Sequence, residues 1–235
     1  SHLKEMEVKG TKTNELMTKF RQSILNDTPP QEKKHAEDFI KANTKSVVSL
    51  YLIRKYFFAN SSPDYDKALS LLALLEKEQG KNPLFGKMKT WATDTKNSSV
   101  GKQLPTFTAY DLNGKMVSSA DLSSAPVAVI YTWASYNYDS QELQRELKRR
   151  QKKANGRLKL MGFCLDASKY ECKQNIKRDS ITSPTICNGE MMEDKTLNKL
   201  GLKSLPNIIL LQNGKIIARG MKKQELYNKL DELLK

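Results

Sequence analysis

The chain has 235 residues, 38% of them hydrophobic and 28% charged, with 40 Lys and Arg against 26 Asp and Glu for a formal charge of +14. This composition excludes disordered and fibrous classes, and a chain of this length can bury a core without metal or disulfide staples. Three cysteines and two histidines (His2 and His35) are too few for a Cys/His zinc framework, while the charge raises nucleic acid and anionic membrane as partners to be tested.

The Ser1-His2-Leu3-Lys4 opening has no apolar region of a signal peptide and reads as a tag remnant. The longest apolar stretch, Val127 to Ala134, falls far short of the roughly 20 residues that a membrane-spanning helix needs. Up to about residue 98 the pattern is helical. Leu16, Phe20 and Ile24 recur at i+4 until Pro29-Pro30 stops the segment, and 31–43 is a charged stretch with few apolar positions. Ser46 can cap an apolar run containing Val47, Leu50, Tyr51, Phe57 and Phe58. After the Asn60-Ser61-Ser62-Pro63 turn, a helix from Tyr65 to Gln79 ends at Gly80, and a shorter one follows Pro83 with Leu84, Met88 and Trp91 in step. The polar stretch from Thr93 to Gly101 marks a boundary, dividing the chain into a helical region, 1–98, and a second domain, 99–235.

Beyond it the period changes. Phe107 to Leu112 and Lys115 to Val117 flank Asn113-Gly114 as a hairpin. Val127 to Trp133 and Leu158 to Leu165 are continuous apolar runs of the kind buried on both faces of a parallel sheet, with a helix from Glu142 to Lys153 between them. Ser168 and Glu171 form a capping box that opens another helix. Asn207 to Leu211 and Lys215 to Arg219 pair around Asn213-Gly214, and the last helix carries Leu226, Leu230, Leu233 and Leu234 on one face. Strand–helix–strand followed by hairpin–helix predicts an α/β sandwich with a central mixed sheet.

These elements carry specific residues at their joints: Val100-Gly101-Lys102-Gln103-Leu104-Pro105-Thr106-Phe107, Asp111-Leu112-Asn113-Gly114-Lys115, Tyr131-Thr132-Trp133-Ala134-Ser135, Gly162-Phe163-Cys164-Leu165-Asp166, and Leu205-Pro206 followed by Gln212 to Ile217. In that order, 99–235 resembles the thioredoxin fold, and more narrowly the periplasmic thiol–disulfide oxidoreductases of the alkyl hydroperoxide reductase/thiol-specific antioxidant superfamily. The resemblance implies a thioredoxin-like sandwich, a cell-envelope or periplasmic location, and a cis-proline at Pro206. It also implies a W-C-x-x-C motif, whose first thiolate sits at a helix N-terminus and attacks a disulfide. Here Asn137 and Ser140 stand at the two cysteine positions, and neither can exchange thiols. Asn137 is a good N-cap and Asp139 suits the positive end of the helix dipole, so the helix start survives while the nucleophile is gone. The expectation is a redox-silent protein that binds a peptide or protein in a groove formed by Tyr136, Tyr138, Leu205 and Pro206. The competing expectation is a thiol–disulfide oxidoreductase or antioxidant protein using non-standard cysteines.

The thiols available for that are Cys164, read as a small core residue, Cys172, read as partly buried on its helix, and Cys187, which follows Ser183-Pro184 and could neighbour Cys164. No CxxC spacing joins them, and no residue spacing predicts a metal site or a cofactor. The basic cluster Arg145, Lys148, Arg149, Arg150, Lys152, Lys153, Arg157 and Lys159 reads first as a solvated helix face. An anionic membrane surface is the next reading. Nucleic acid falls behind it, because no stacking aromatic platform accompanies the charge.

Overall fold

A computed structural model of the chain describes residues 10–58, 64–202 and 204–235, so the Asn60-Ser61-Ser62-Pro63 turn and the Ser1-His2-Leu3-Lys4 opening lie outside the described residues. The chain divides into two compact units, Ser1–Lys96 and Asn97–Lys235.

The first unit is helical. Helix α1, Lys12–Ser23, is capped by Thr11. Pro29-Pro30 does more than stop it: the two prolines open α2, Pro29–Ala42, where a missing N–H costs nothing in the first turn. Gln31 Oε1 accepts from the Thr28 backbone N–H at 2.9 Å, which makes the charged stretch a helix with Ala36 and Ile40 buried. Ser46 caps α3, Val47–Ile53, and a π-helical turn, Arg54–Phe58, carries the apolar run onward. Helices α4, Tyr65–Gln79, and α5, Pro83–Asn97, have 15 residues each, so the helix after Pro83 is not the shorter one and takes in part of the Thr93–Gly101 stretch. Its buried face is Phe85, Met88, Ala92 and Thr95 rather than Leu84. Phe20, Ile40, Leu50, Phe57 and Leu72 lie in the core, and Phe58 stacks on Trp91 with ring centroids 4.8 Å apart. Gln79, buried at the end of α4, donates to the carbonyls of Thr44 and Ser46 and so ties down the loop before α3.

The second unit is built on a five-stranded sheet. A small hairpin comes first, β1 Thr108–Tyr110 and β2 Met116–Ser118, followed by a short helix α6, Ser119–Ser123, which has no strong sequence signal. The loop between the strands is organised by Asp111, whose Oδ1 accepts from the N–H groups of Asn113 and Lys115. Then follow β3 Val127–Trp133, α7 Tyr138–Lys153, β4 Leu158–Cys164, α8 Lys169–Arg178, β5 Thr185–Ile186, α9 Lys195–Lys199, β6 Ile208–Gln212, β7 Lys215–Arg219 and α10 Lys223–Leu233. The strand order is β5-β4-β3-β6-β7, with β3 parallel to β4 and antiparallel to β6. Ser168 Oγ accepts from the N–H of Glu171 at the start of α8, which is one half of the box read from the sequence.

β3 is buried throughout because both faces of the sheet are covered. Ala128 and Ile130 face Leu104, Phe107, Leu122 and Leu197, while Val129, Tyr131 and Trp133 face Leu143 and Leu147 of α7 and Leu226 and Leu230 of α10. The outer edge of β7 is covered by the segment leading in from residue 98. Gly101 N donates to Ile216 O, Ile216 N to Lys102 O, and Leu104 N to Gly214 O.

Candidate functional site

β3 ends at Trp133, and the chain turns through Ala134 to Asn137 into α7. Asn137 takes the N-cap position, and its Oδ1 accepts from the Ser140 N–H at 2.8 Å. Ser140 is fully buried: its Oγ accepts from the N–H of Ala134 at 3.1 Å and donates to Asn137 O at 2.8 Å. Ser135 N donates to the buried Asp166 carboxylate at 2.9 Å, and Gln141 Nε2 donates to Ser135 O. Asn137 and Ser140 therefore close the turn upon itself. A buried hydroxyl held by backbone groups, with no histidine in this unit to act as its base, is not an activated nucleophile.

The Leu205–Pro206 peptide bond is cis. Its loop is pinned to the C-terminal end of β3 by Thr132, whose Oγ1 donates to Ser204 O at 2.9 Å and accepts from Asn207 N at 2.7 Å. The backbone thus brings the 134–137 turn and the 204–207 loop to one end of the sheet. Tyr136 and Tyr138 are 66% and 73% exposed there, whereas Leu205 and Pro206 are half-buried. Partial burial, then the nearby Asp166 carboxylate, pushes the Tyr136 hydroxyl above its ordinary pKa. The Arg145 guanidinium lies over the Tyr138 ring, 5.7 Å from its centre, which sets that side chain along α7. Concavities of about 640, 410 and 630 Å3 occur elsewhere in this unit, and none of them is lined by Tyr136, Tyr138, Leu205 or Pro206. The four residues converge on an open end of the sheet rather than enclosing one of these clefts.

The three cysteines occupy one place. Cys164 ends β4, Cys172 lies in the first turn of α8, Cys187 follows β5, and their Sγ atoms all lie within 4.8 Å of one another. All three are free thiols and buried, so Cys172 is a full core residue rather than a partly exposed one. The reading of no metal constellation also needs correction: it rested on spacing along the chain, and the sheet gathers three sulfurs from three separate elements. Their acidities are coupled. Cys187 is driven down by hydrogen bonds from the Cys164 and Cys172 thiols, aided by the Gly189 backbone. Cys164 is pushed up by its Cys172 and Cys187 partners and by burial. Cys172 is favoured as a thiolate by Cys164, but Cys187 and burial outweigh this and push it up. One thiolate is thus stabilised at the expense of the other two.

The basic cluster on α7 is largely engaged within the domain rather than simply solvated. Arg145 pairs with Asp179 at 3.2 Å, Arg150 with Glu146 and Asp231, and Arg149 with Glu146. Lys148 Nζ donates to Asp179 O, Arg157 to the carbonyls of Leu234 and Lys235, and Lys159 to Ser124 Oγ. The Arg178 hydrogen bond, then Arg145, holds the half-buried Asp179 below the ordinary carboxylate range against the opposing effect of burial. A lowered folded pKa contributes stability above the unfolded value and loses it as pH falls through the folded one. Acid unfolding followed by circular dichroism is therefore expected to bring Asp179→Asn and the parent together at low pH, with the parent more stable above pH 5.

The comparisons with known proteins follow this geometry. No family model and no curated protein matches the chain. Among solved structures, a thiol-disulfide oxidoreductase from Bacteroides fragilis is 28% identical, with a TM-score of 0.50 over 56% of this chain and 99% of its own. The thioredoxin domain of a thiol-disulfide oxidoreductase from Bacteroides vulgatus is 21% identical, with a TM-score of 0.50 over 58% of this chain and 99% of its own. A thioredoxin-like protein from Bacteroides caccae is 12% identical, with a TM-score of 0.58 over 91% of this chain and 87% of its own. With the mixed sheet and the helix that starts at Asn137, these likenesses define a thioredoxin-like fold. The chain has a thioredoxin-like fold and is similar to thiol-disulfide oxidoreductases that share it.

Sequence reasoning missed Asp166, Thr132 and Arg219 as positioning residues. Asp166 and Thr132 stood within quoted motifs, but their roles depend on loops distant in sequence. Arg219 donates to Ser98, Leu200 and Gly201 and had no sequence signal.

Proposed function

We propose that the protein is a redox-silent binding module of the cell envelope that recognises an extended peptide or protein segment at the open end of β3. The observation that carries this reading is the helix start itself: Asn137 serves as N-cap, Ser140 is buried in backbone hydrogen bonds, and Tyr136 and Tyr138 are exposed on either side of Asn137. Exposed tyrosines supply amphipathic contact area at low entropic cost, and an extended segment could take hydrogen bonds from the loop backbone. The envelope location rests on the resemblance alone, and contact with an anionic membrane surface is a lesser part of the same reading. A titration with unfolded, cysteine-free peptides is expected to show binding that weakens at least about tenfold in Tyr136→Ala/Tyr138→Ala. Binding unchanged in that variant would rule out this surface. Insulin reduction by the parent chain would rule out redox silence.

A second reading is favoured by one observation, the three sulfurs within 4.8 Å: a thiol–disulfide oxidoreductase or antioxidant protein using Cys164, Cys172 and Cys187. Their burial works against it, because exchange needs an accessible thiolate. Counting thiols after mild oxidation distinguishes the two. A fall from three to one supports the second reading, and three retained thiols support the first.

A further inference from the structure

We infer that Cys164, Cys172 and Cys187 form a binding site for a soft, thiophilic metal ion in a three-sulfur environment, with Cu(I) as the ion of choice. The site is built from three elements that the fold fixes independently. Cys164 is held in β4 opposite Trp133 of β3, Cys172 is anchored in α8 by its N–H bond to Ser168 O, and Cys187 follows the short strand β5 paired to β4. Three sulfurs bound to one ion at about 2.3 Å in a trigonal plane lie about 4 Å apart. The present limit of 4.8 Å on their separations therefore requires a contraction of less than an ångström.

The donor set selects the ion. Thiolates favour soft ions such as Cu(I) and Zn(II), but structural zinc is almost always four-coordinate. Among the described residues the cluster offers three sulfur atoms and no fourth His, Asp or Glu ligand. An ion content with three sulfurs fits this set better than one that requires four donors.

The cluster is also tied to the backbone around it, the Cys187 thiol donating to Asp166 O at 3.6 Å. Cys172 lies in the first turn of α8, near the positive end of its dipole. The buried Asp166 carboxylate Oδ2 has no hydrogen-bond partner among the described residues. Each Cu–S bond formed at a thiol releases its proton to solvent, the copper stays Cu(I) throughout, and the complex of one Cu(I) with three thiolates is anionic overall. This inference does not depend on what binds at the open end of β3.

The test is an anaerobic titration of the reduced full chain with Cu(I) against a competing chelator. One Cu(I) per chain is expected to remain after desalting, with Trp133 emission quenched in a Trp91→Phe background and all three thiols protected from modification until the ion is removed. Cys164→Ser, Cys172→Ser and Cys187→Ser should each weaken retention by more than the roughly 10- to 100-fold typical for loss of an outer-shell partner. X-ray absorption on the parent chain needs no variant and should show three sulfur neighbours. Copper held no better than by the triple serine variant, fewer than three sulfur neighbours, or preferential retention of Zn(II) would overturn the assignment.

Discussion

The double variant Asn137→Cys/Ser140→Cys is expected to acquire insulin-reducing activity, while its dithiol form is less stable than the parent by about 2–4 kcal/mol. The destabilisation has two sources. Removing the Asn137 side chain takes away the N-cap bond to Ser140 N, which contributes about 1 kcal/mol in typical helices. Replacing Ser140 removes the hydroxyl that accepts from Ala134 N, and a buried N–H left without an acceptor costs about 1–3 kcal/mol. The new thiols would sit three residues apart at the start of a sixteen-residue helix, a spacing that allows a disulfide. Its dipole lowers the pKa of the first thiol, while Asp139 in the first turn opposes this. Turnover should therefore rise with pH, and adding Asp139→Ala should raise it further near neutrality. Insulin turbidity and urea unfolding of both redox forms check these outcomes. A folded dithiol form with no exchange would show that two cysteines at this helix start do not suffice for the chemistry.

Arg219→Met is expected to destabilise the second unit by about 2–4 kcal/mol, among the largest effects available outside the core. The half-buried guanidinium gathers separated pieces of chain: Nη1 donates to the carbonyl and hydroxyl of Ser98, and Nη2 donates to the carbonyls of Leu200 and Gly201. Charge-assisted bonds of this kind contribute about 1.5–3 kcal/mol each. Methionine keeps most of the stem packing but offers no donor, leaving the Gly201 carbonyl to find another partner. The Ser98 hydroxyl still reaches Leu200 O, so the loss falls short of the summed bonds. Urea unfolding of the parent and the Arg219→Met variant measures the difference, and a change below about 0.5 kcal/mol would show that water replaces the guanidinium.

Much of the architecture was legible because the governing signals are local. The apolar run Val127–Trp133 matches β3 residue for residue, and Tyr65–Gln79 with Gly80 matches α4 and its end. Asn213, at φ 49°, and Gly214, at φ 76°, form the tight turn that their types favour. The same logic misjudged Pro29-Pro30, because proline marks both the end of one helix and the first turn of the next. It also missed α6 and α9, five residues each, too short to show a period. The N-cap role of Asn137 followed from its side-chain chemistry. Of the sulfur cluster, the sequence suggested Cys187 as a neighbour of Cys164, as the structure has it, but not Cys172 as the third member. Cys164 and Cys187 are 23 positions apart in the sequence, and Cys172 joins them only through the packing of α8 on the sheet.

The pairing of Gly101, Lys102 and Leu104 along β7 determines where an excised second unit must begin. A fragment starting at Asn97 retains both this cover and the Ser98 acceptors for Arg219, and at the opposite edge Leu112 N still donates to Thr185 O of β5. A fragment trimmed to Pro105 would expose the Ile216 N–H and carbonyl and the Gly214 carbonyl as a template for a second chain. The lead-in segment, though it contributes no strand to the sheet proper, occupies the hydrogen-bonding edge along which another chain would otherwise pair.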